Sequence, residues 1–184
     1  MIWILLVIIV AIVIYGIVAY NGLIRGKNQI ENAWSQIDVQ LKRRIDLIPN
    51  LVETVKAYAA HEKDTLDAVV RARNAAISAP ATPTGQAEAD SQLTGALRQL
   101  FALSEAYPDL KANQNFLALQ EELTGTESKI AFARQFYNDQ VMLLNTLIGS
   151  FPSNVVAKAF GFGPREFFDI EDPVRAPSQV EFPR

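Results

Sequence analysis

Residues 21–56 read NGLIRGKNQIENAWSQIDVQLKRRIDLIPNLVETVK, and the spacing of their apolar positions decides the fold. Ile30, Trp34, Ile37, Leu41, Ile45, Ile48, Val52 and Val55 recur in steps of three or four, the period of one helix face. Ala59, Leu66 and Val69 prolong the stripe, with Glu62 as its polar interruption. Pro49 lies inside it, where a proline removes one backbone hydrogen bond and crowds the carbonyl four residues back. The stripe keeps its phase across Pro49, so the reading is a kinked but continuous helix. The opposite face carries Asp38, Lys42 and Asp46 at spacings of four, adjacent ion pairs worth about 0.2–0.5 kcal/mol each. That face is solvated or meets a polar partner.

Upstream, Ile2 to Tyr20 (IWILLVIIVAIVIYGIVAY) is unbroken apolar sequence. Crossing about 30 Å of hydrocarbon takes roughly 20 helical residues, which this run supplies. Trp3, Tyr15 and Tyr20 lie toward its ends, where amphipathic rings favour the headgroup level. All 17 Lys and Arg and all 20 Asp and Glu of the 184-residue chain fall from Arg25 onward. A cleaved signal peptide is the rival reading. It lacks support: there is no basic n-region, the apolar core is too long, and no A-x-A site follows. Residues 1–24 are therefore read as an uncleaved single-pass anchor in contact with membrane lipid, 25–170 as the body and 171–184, Pro-rich from Pro173, as a flexible tail. Arg25 and Lys27 follow the span directly, and the positive-inside bias places the body in the cytoplasm. Asn21-Gly22 leaves little room for a flexible joint, so the anchor orients the body as well as tethering it.

Downstream, Ser78 to Gln86 (SAPATPTGQ) is a linker by composition. A helix follows on Ala89, Leu93, Ala96, Leu97, Leu100 and Leu103, and Tyr107-Pro108-Asp109 interrupts it. A long helix then runs from about Ala112 to Ser150 and ends at Pro152. Ser153 is placed to cap a short helix to Phe160, with Gly161 as its stop. Gly163-Pro164 and Phe167-Phe168 suggest an irregular segment pinned by aromatics. No stretch alternates with period two. The fold class is all-α: a transmembrane helix continuing into a long-helix, up-and-down, four-helix-type antiparallel bundle.

Most chemistry is excluded by composition. With no Cys and one His, the chain has no disulfide framework, no Cys nucleophile and no zinc site of several Cys or His ligands. A net charge of −3 argues against a dedicated nucleic-acid binder. His61-Glu62 lacks the second His of a metalloprotease helix, since Thr65 stands there, and a di-iron bundle needs two Glu-x-x-His motifs. Ser150 lacks both the second Gly of a nucleophile elbow and a His to activate it. No cofactor is expected. Lys42-Arg43-Arg44 is the densest basic cluster, but Lys42 stands about 26 Å up a straight helix from Arg25, well past a Debye length of about 8 Å. The triplet reads as a solvated face partnered by Asp38 and Asp46, with Glu121, Glu122 and Glu127 as a matching acidic patch across the bundle or between subunits. Asn50, Asn115, Gln135, Asn138 and Asn145 sit at or beside helix stripes, where a buried amide can fix register or oligomeric state.

Together, several stretches resemble the LemA family. They are Tyr20-Asn21, Ala33-Trp34 with QIDVQLKRRIDLIPNLV from Gln36 to Val52, and VKAYAAHE from Val55 to Glu62. They continue in AYPDLKANQNFLALQEEL (Ala106 to Leu123), ARQFYND (Ala133 to Asp139), Phe151 to Asn154, and Gly161-Phe162 with Phe167-Phe168. The resemblance implies a membrane-anchored up-and-down bundle with no known catalytic activity and no catalytic residues to carry over. It makes Arg44, Asp46, Pro49 and Asn50 structural or interaction positions. Some members of that family carry a lipoprotein Cys before the Tyr-Asn opening, which places their domain outside the cytoplasm; this chain lacks it.

Three functions compete on these grounds. One is a non-enzymatic envelope scaffold that self-associates or binds an envelope protein, with no nucleic-acid partner. Its candidate positions are Trp34, Asp38, Lys42, Arg43, Arg44, Asp46, Pro49, Asn50, Asn115 and Asn138. Another is an anionic-lipid-binding or membrane-shaping module built on Lys42-Arg43-Arg44. The last is a hydrolase using Asp38, Asp46 or Glu53, against which their alternation with Lys42 and Lys56 lowers carboxyl pKa values rather than raising one.

Overall fold

One helix, α1 (Ile2–Lys56), carries the apolar head and the first amphipathic stretch without a break. At 1.5 Å per residue it is about 82 Å long. The computed structural model describes residues 1–168; the expected tail, 171–184, lies outside the described residues. The remaining helices are α2 (Lys63–Ser78), α3 (Pro83–Ser104), α4 (Pro108–Lys111), α5 (Gln114–Gly149) and α6 (Ser153–Ala159). Among the described residues there is no strand.

α1 and α5 pack along most of α5's length and form the spine. α1 buries Leu23, Ile30, Ala33, Ile37, Leu41, Arg44, Ile48, Leu51 and Val55. The expected stripe is therefore rotated slightly. Trp34, Ile45 and Val52 flank it half-buried, and Ala33 and Leu51 take central places. Gly26 sits close against α5: a Cβ there would stand 3.1 Å from Leu144 Cδ1.

The apolar stripe does not continue along one helix to Val69. α1 ends at Lys56, the chain turns through residues 57–62, and α2 runs back. Leu66 and Val69 keep the spacing because α2 buries its own face on the same core. The turn contains neither Gly nor Pro. The Val55 carbonyl accepts from both Tyr58 N and Ala59 N, Ala59 O accepts from Glu62 N, and the Ala59 methyl is buried. The linker before α3 is shorter than composition suggests, because Pro83 already occupies the first helical turn. Thr82 Oγ1 accepts from Gly85 N at 3.2 Å as the cap, and proline's missing N–H costs nothing at that position. Asn113 caps α5 likewise, its Oδ1 accepting from Phe116 N at 3.0 Å.

Ser153 does not cap α6. Its hydroxyl donates backward, to Leu147 O and Ser150 O, satisfying carbonyls at the end of α5. Gly161 does stop α6: at φ +74° it closes a Schellman turn, with Phe162 N bonded to Ala157 O and Gly161 N to Lys158 O.

The core has two parts stacked along the spine. The membrane-distal part joins Ile48, Leu51 and Val55 of α1 to α2, α3, α4 and the start of α5, with Phe116 and Leu123 at its centre. The proximal part joins Leu23 to Leu41 of α1 to the second half of α5, α6 and Phe168. Tyr20 already belongs to this packing, its ring centroid 4.8 Å from Phe160 and 5.9 Å from Phe162. Ile2 to Tyr15 stay exposed on every face. A charged layer lies between the two cores.

Candidate functional site

Arg44 is the largest fully buried side chain, 2% exposed. It follows Leu41 of the proximal core and precedes Ile48 of the distal one. Its Nη1 donates to Asp90 Oδ1 at 2.6 Å, and Nη2 lies 3.6 Å from Glu127 Oε2. Asp90 and Thr126 are also buried, so this layer is polar right across α1, α3 and α5. Burial pushes the Asp90 carboxyl up from its ordinary 3.8, and Arg44, then Arg134, pull it partly back. Arg44 Nε is buried with no partner among the described residues.

The solvated-face reading of Lys42-Arg43-Arg44 is thus corrected. Helix rotation points Arg44 inward, and Arg43 reaches α5, where its Nε and Nη2 meet Glu122 Oε1 at 3.1 and 2.5 Å. Two of the three acidic residues of the α5 patch, Glu122 and Glu127, serve these arginines. Lys42 is exposed, and among the described residues no ion pair joins it to Asp38 or Asp46. A lipid patch built on all three basic residues has therefore lost two of them.

Asp38, Asp46 and Glu53 are exposed, as are Pro49, Asn50, Asn115 and Gln135. Asn50, Asn115 and Gln135 are not the buried amides their place beside a stripe suggested, since each falls just outside the buried arc. Pro49 has a structural consequence nonetheless. The carbonyl it leaves without a helical N–H is that of Ile45, and Arg73 Nε of α2 donates to it at 3.3 Å. Among the described residues, no group of three or more His, Asp or Glu side chains gathers in one place.

At the distal tip, two of the stretches that carry the family resemblance meet. Asn113 Nδ2 donates to Tyr58 Oη at 2.9 Å, and Tyr107 Oη donates to Glu62 Oε1 at 2.8 Å. The Glu62 bond, more than burial, raises the Tyr107 hydroxyl's pKa.

At the proximal end, residues 163–168 form an extended strap along α5. Asn138 donates to Phe168 O (3.1 Å) and accepts from Phe168 N (2.8 Å). Asn145 does the same with Arg165, at 2.9 and 2.8 Å. Tyr137 Oη donates to Glu166 O at 3.0 Å; burial, then the Glu166 charge, pushes that phenol up. Phe168 is buried near Trp34 (6.1 Å between centroids), with the Arg134 guanidinium 5.6 Å from its ring. Phe167 points outward, so only one of the two expected aromatic pins is set. Asp90 and Arg73 escaped sequence reasoning, while Asn113 and Tyr137 stood in the stretches that carry the resemblance without a role assigned. Only the caps carry a local signal, and the others are defined by partners far along the chain.

The spine's other side is open. α1 and α5 border a groove of about 510 Å³ between Ser35, Gln36, Val39 and Gln40 on one helix and Lys129, Phe132, Ala133 and Phe136 on the other. Phe132 and Phe136 are exposed in it, and Leu143 and Leu147 continue the exposed apolar stripe along α5 beyond it.

The model of the family described as LemA matches residues 33–182. The chain belongs to the LemA family. Protein LemA of Metamycoplasma hominis is 30% identical over 138 residues, covering 75% of this chain and 63% of that protein. The chain thus spans less than two thirds of that relative's length. Magnetosome protein MamQ 2 of Paramagnetospirillum magneticum is 24% identical over 185 residues, covering 87% of this chain and 68% of the relative. Magnetosome protein MamQ of Magnetospirillum gryphiswaldense is 23% identical over the same extent. The chain is a membrane-associated helical protein, and the exposed first part of α1 is long and apolar enough to cross a membrane.

Proposed function

We propose that the chain is a non-enzymatic, self-associating scaffold of the bacterial cell envelope. Residues 1–24 hold it to membrane lipid, residues 25–170 present the interaction faces, and the body is cytoplasmic on the strength of Arg25 and Lys27. The observation that carries this reading is the unbroken α1. It projects the bundle from the membrane as a rod, so copies in one membrane stand parallel with the same faces at the same height. The open α1/α5 face, with Phe132, Phe136, Leu143 and Leu147 exposed, supports contact between such copies or with an envelope protein. Relatives named for the magnetosome fit a part in an assembly better than turnover of a substrate.

Size determination in mild detergent combined with crosslinking tests the proposal. Oligomers that dissociate on Phe132→Glu with Phe136→Glu are expected. A strictly monomeric protein with no copurifying partner defeats it. Protease protection in sealed vesicles tests the orientation, and digestion of the body from the outer face alone reverses it.

A further inference from the structure

Gly26 abuts Leu144 across the spine, and Trp34 packs on Tyr137 with ring centroids 5.7 Å apart, so α1 and α5 keep one antiparallel register. Five residues further along α5, Gly149 is therefore level with Asn21, and the turn at Phe151 is level with the end of the apolar run. Phe160 agrees, since its ring packs on Tyr20. The base of the bundle thus stands where Ile2 to Tyr20, about 28 Å of helix, leaves a hydrocarbon layer about 30 Å thick. Three large apolar side chains are open there: Phe151, Val155 and Phe160 are 83, 61 and 64% exposed.

Charge is partitioned to match. Residues 1–30 and 140–165 carry Arg25, Lys27, Lys158 and Arg165 and no carboxylate, in a chain of net charge −3. Residues 74–87, around the α2–α3 joint, carry no charge. Among the described residues, the first carboxylates above this base are Glu31, 3.7 Å from Lys27 Nζ, exposed Asp139, and Glu166, which turns to the Thr84 hydroxyl. Lys27 and Arg165 line one cleft of about 460 Å³ together with Phe160, and a Cβ on Gly161 or Gly163 would meet nothing within 4 Å. Side chains of α1 lean toward its N-terminus, which is the membrane side, so Arg25 and Lys27 lean down from about 8 and 10 Å above Tyr20.

We propose that this base is a second membrane contact: Phe151, Val155 and Phe160 sit at the boundary of headgroups and acyl chains, and the cleft between Lys27 and Arg165 takes the phosphate of an anionic phospholipid. The proposal rests on the α1 span and is independent of self-association. A bilayer is the occupant because the anchor holds this face against it. α1 is unbroken from Ile2, and Tyr20 and Leu23 tie the span into the bundle. Exposed apolar residues set among cations are what an interfacial segment presents to anionic lipid. That attraction acts within about a Debye length of the surface, roughly 8 Å, which is the height of these cations.

The chain's lack of Cys lets single nitroxide labels report depth. Full-length Phe151→Cys, Val155→Cys and Asp64→Cys, the last at the far end of the bundle, are labelled and reconstituted in vesicles of phosphatidylethanolamine and phosphatidylglycerol. Dissolved oxygen, relative to a water-soluble nickel chelate, should relax the labels at 151 and 155 several-fold more than the label at 64. Labels at 151 and 155 as open to nickel as the label at 64 overturn the docking. Labels shielded from both reagents overturn it too, because they place these residues against another protein copy, and self-association then stands. Spin-labelled lipids read the cleft. Phosphatidylglycerol should be enriched over phosphatidylcholine around the native chain, and Lys158→Gln with Arg165→Gln should lose most of that excess. Both side chains are exposed, and the Arg165 backbone keeps its bonds to Asn145, so the variant retains the fold. Equal enrichment around native and variant chains overturns the phosphate site, since the basic residues flanking the span then account for it alone.

Discussion

Arg44 shows what one residue contributes when the charge it carries is turned inward. A buried ion pair forfeits the hydration of both partners, and replacing it with well-packed apolar groups is often neutral or stabilising. Breaking it is different, because the survivor stays buried without a counter-charge. Arg44→Ala strands Asp90 and opens a cavity at the mid-bundle layer, and should cost about 3–5 kcal/mol in urea unfolding. The pair Arg44→Met with Asp90→Leu should recover most of that loss. Failure to recover would mean that the polar layer holds the two cores in register by more than its charges. Asp90 adds a pH dependence. Its folded pKa lies above the ordinary 3.8, so the protonated form favours the fold more than the ionised form does. Its contribution is full below pH 3.8 and is lost as pH rises through the raised folded value. Asp90→Asn does not titrate, and its amide oxygen still accepts from Arg44. The stability of the native chain minus that of the variant should therefore fall with pH over that window and then stay level. A difference that rises with pH would place the Arg44 attraction above the burial cost.

α1 and α2 are joined through an element's defect. Pro49 leaves the Ile45 carbonyl short of its helical donor, and Arg73 of α2 supplies one. A hydrogen bond to a charged donor contributes roughly 1.5–3 kcal/mol at best, and less here because the site is part-exposed and the bond is long. Arg73→Ala should lower stability by about 1 kcal/mol in the native background and by much less in Pro49→Ala, where the alanine N–H takes the carbonyl. A double-mutant cycle read by chemical denaturation measures the coupling, and equal losses in both backgrounds would show that Arg73 acts elsewhere. The same element shows how much could be read in advance. Helical period alone located the apolar face of α1, whereas the start of α3 at Thr82-Pro83 reads as linker, because Pro, Thr and Gly count there by composition and not as cap chemistry. The turn at 57–62 was hidden, because it has no Gly or Pro and α2 resumes the α1 spacing. The family resemblance already made Arg44 a structural or interaction position, but its burial was hidden because a charged residue counts as polar in any periodicity. Alongside Asn50, Asn115 and Gln135 in the sequence, Asn138, a candidate site residue, and Asn145 are only two of five amides at or beside a stripe. Their partners, strap residues 20 to 30 positions away in an aperiodic segment, had no local signal.

At the scale of the molecule, the junction between membrane span and bundle determines whether the body is tethered or aimed. The first α1 residues to enter the proximal core are Tyr20, stacked against Phe160 and Phe162, and Leu23, fully buried. Both precede Arg25, so the apolar head and the folded body share residues, and a swivel at Asn21-Gly22 would have to break core contacts. This overlap makes two truncations informative. Removing residues 1–18 takes away only exposed apolar surface and one half-exposed glycine, and should give a water-soluble body with unchanged urea midpoint. Removing residues 1–24 also deletes Leu23 and Tyr20, a loss of about 3–5 kcal/mol by the usual cost of emptying a core position. The second truncation should also free α6 and the strap, which hydrogen exchange at Phe162, Arg165 and Phe168 would register as lost protection. Equal stability of the two forms would show that the bundle begins after Arg25 and that the anchor merely tethers it. Unequal stability ties the direction of the rod to the core of the bundle, which parallel association of copies in one membrane requires.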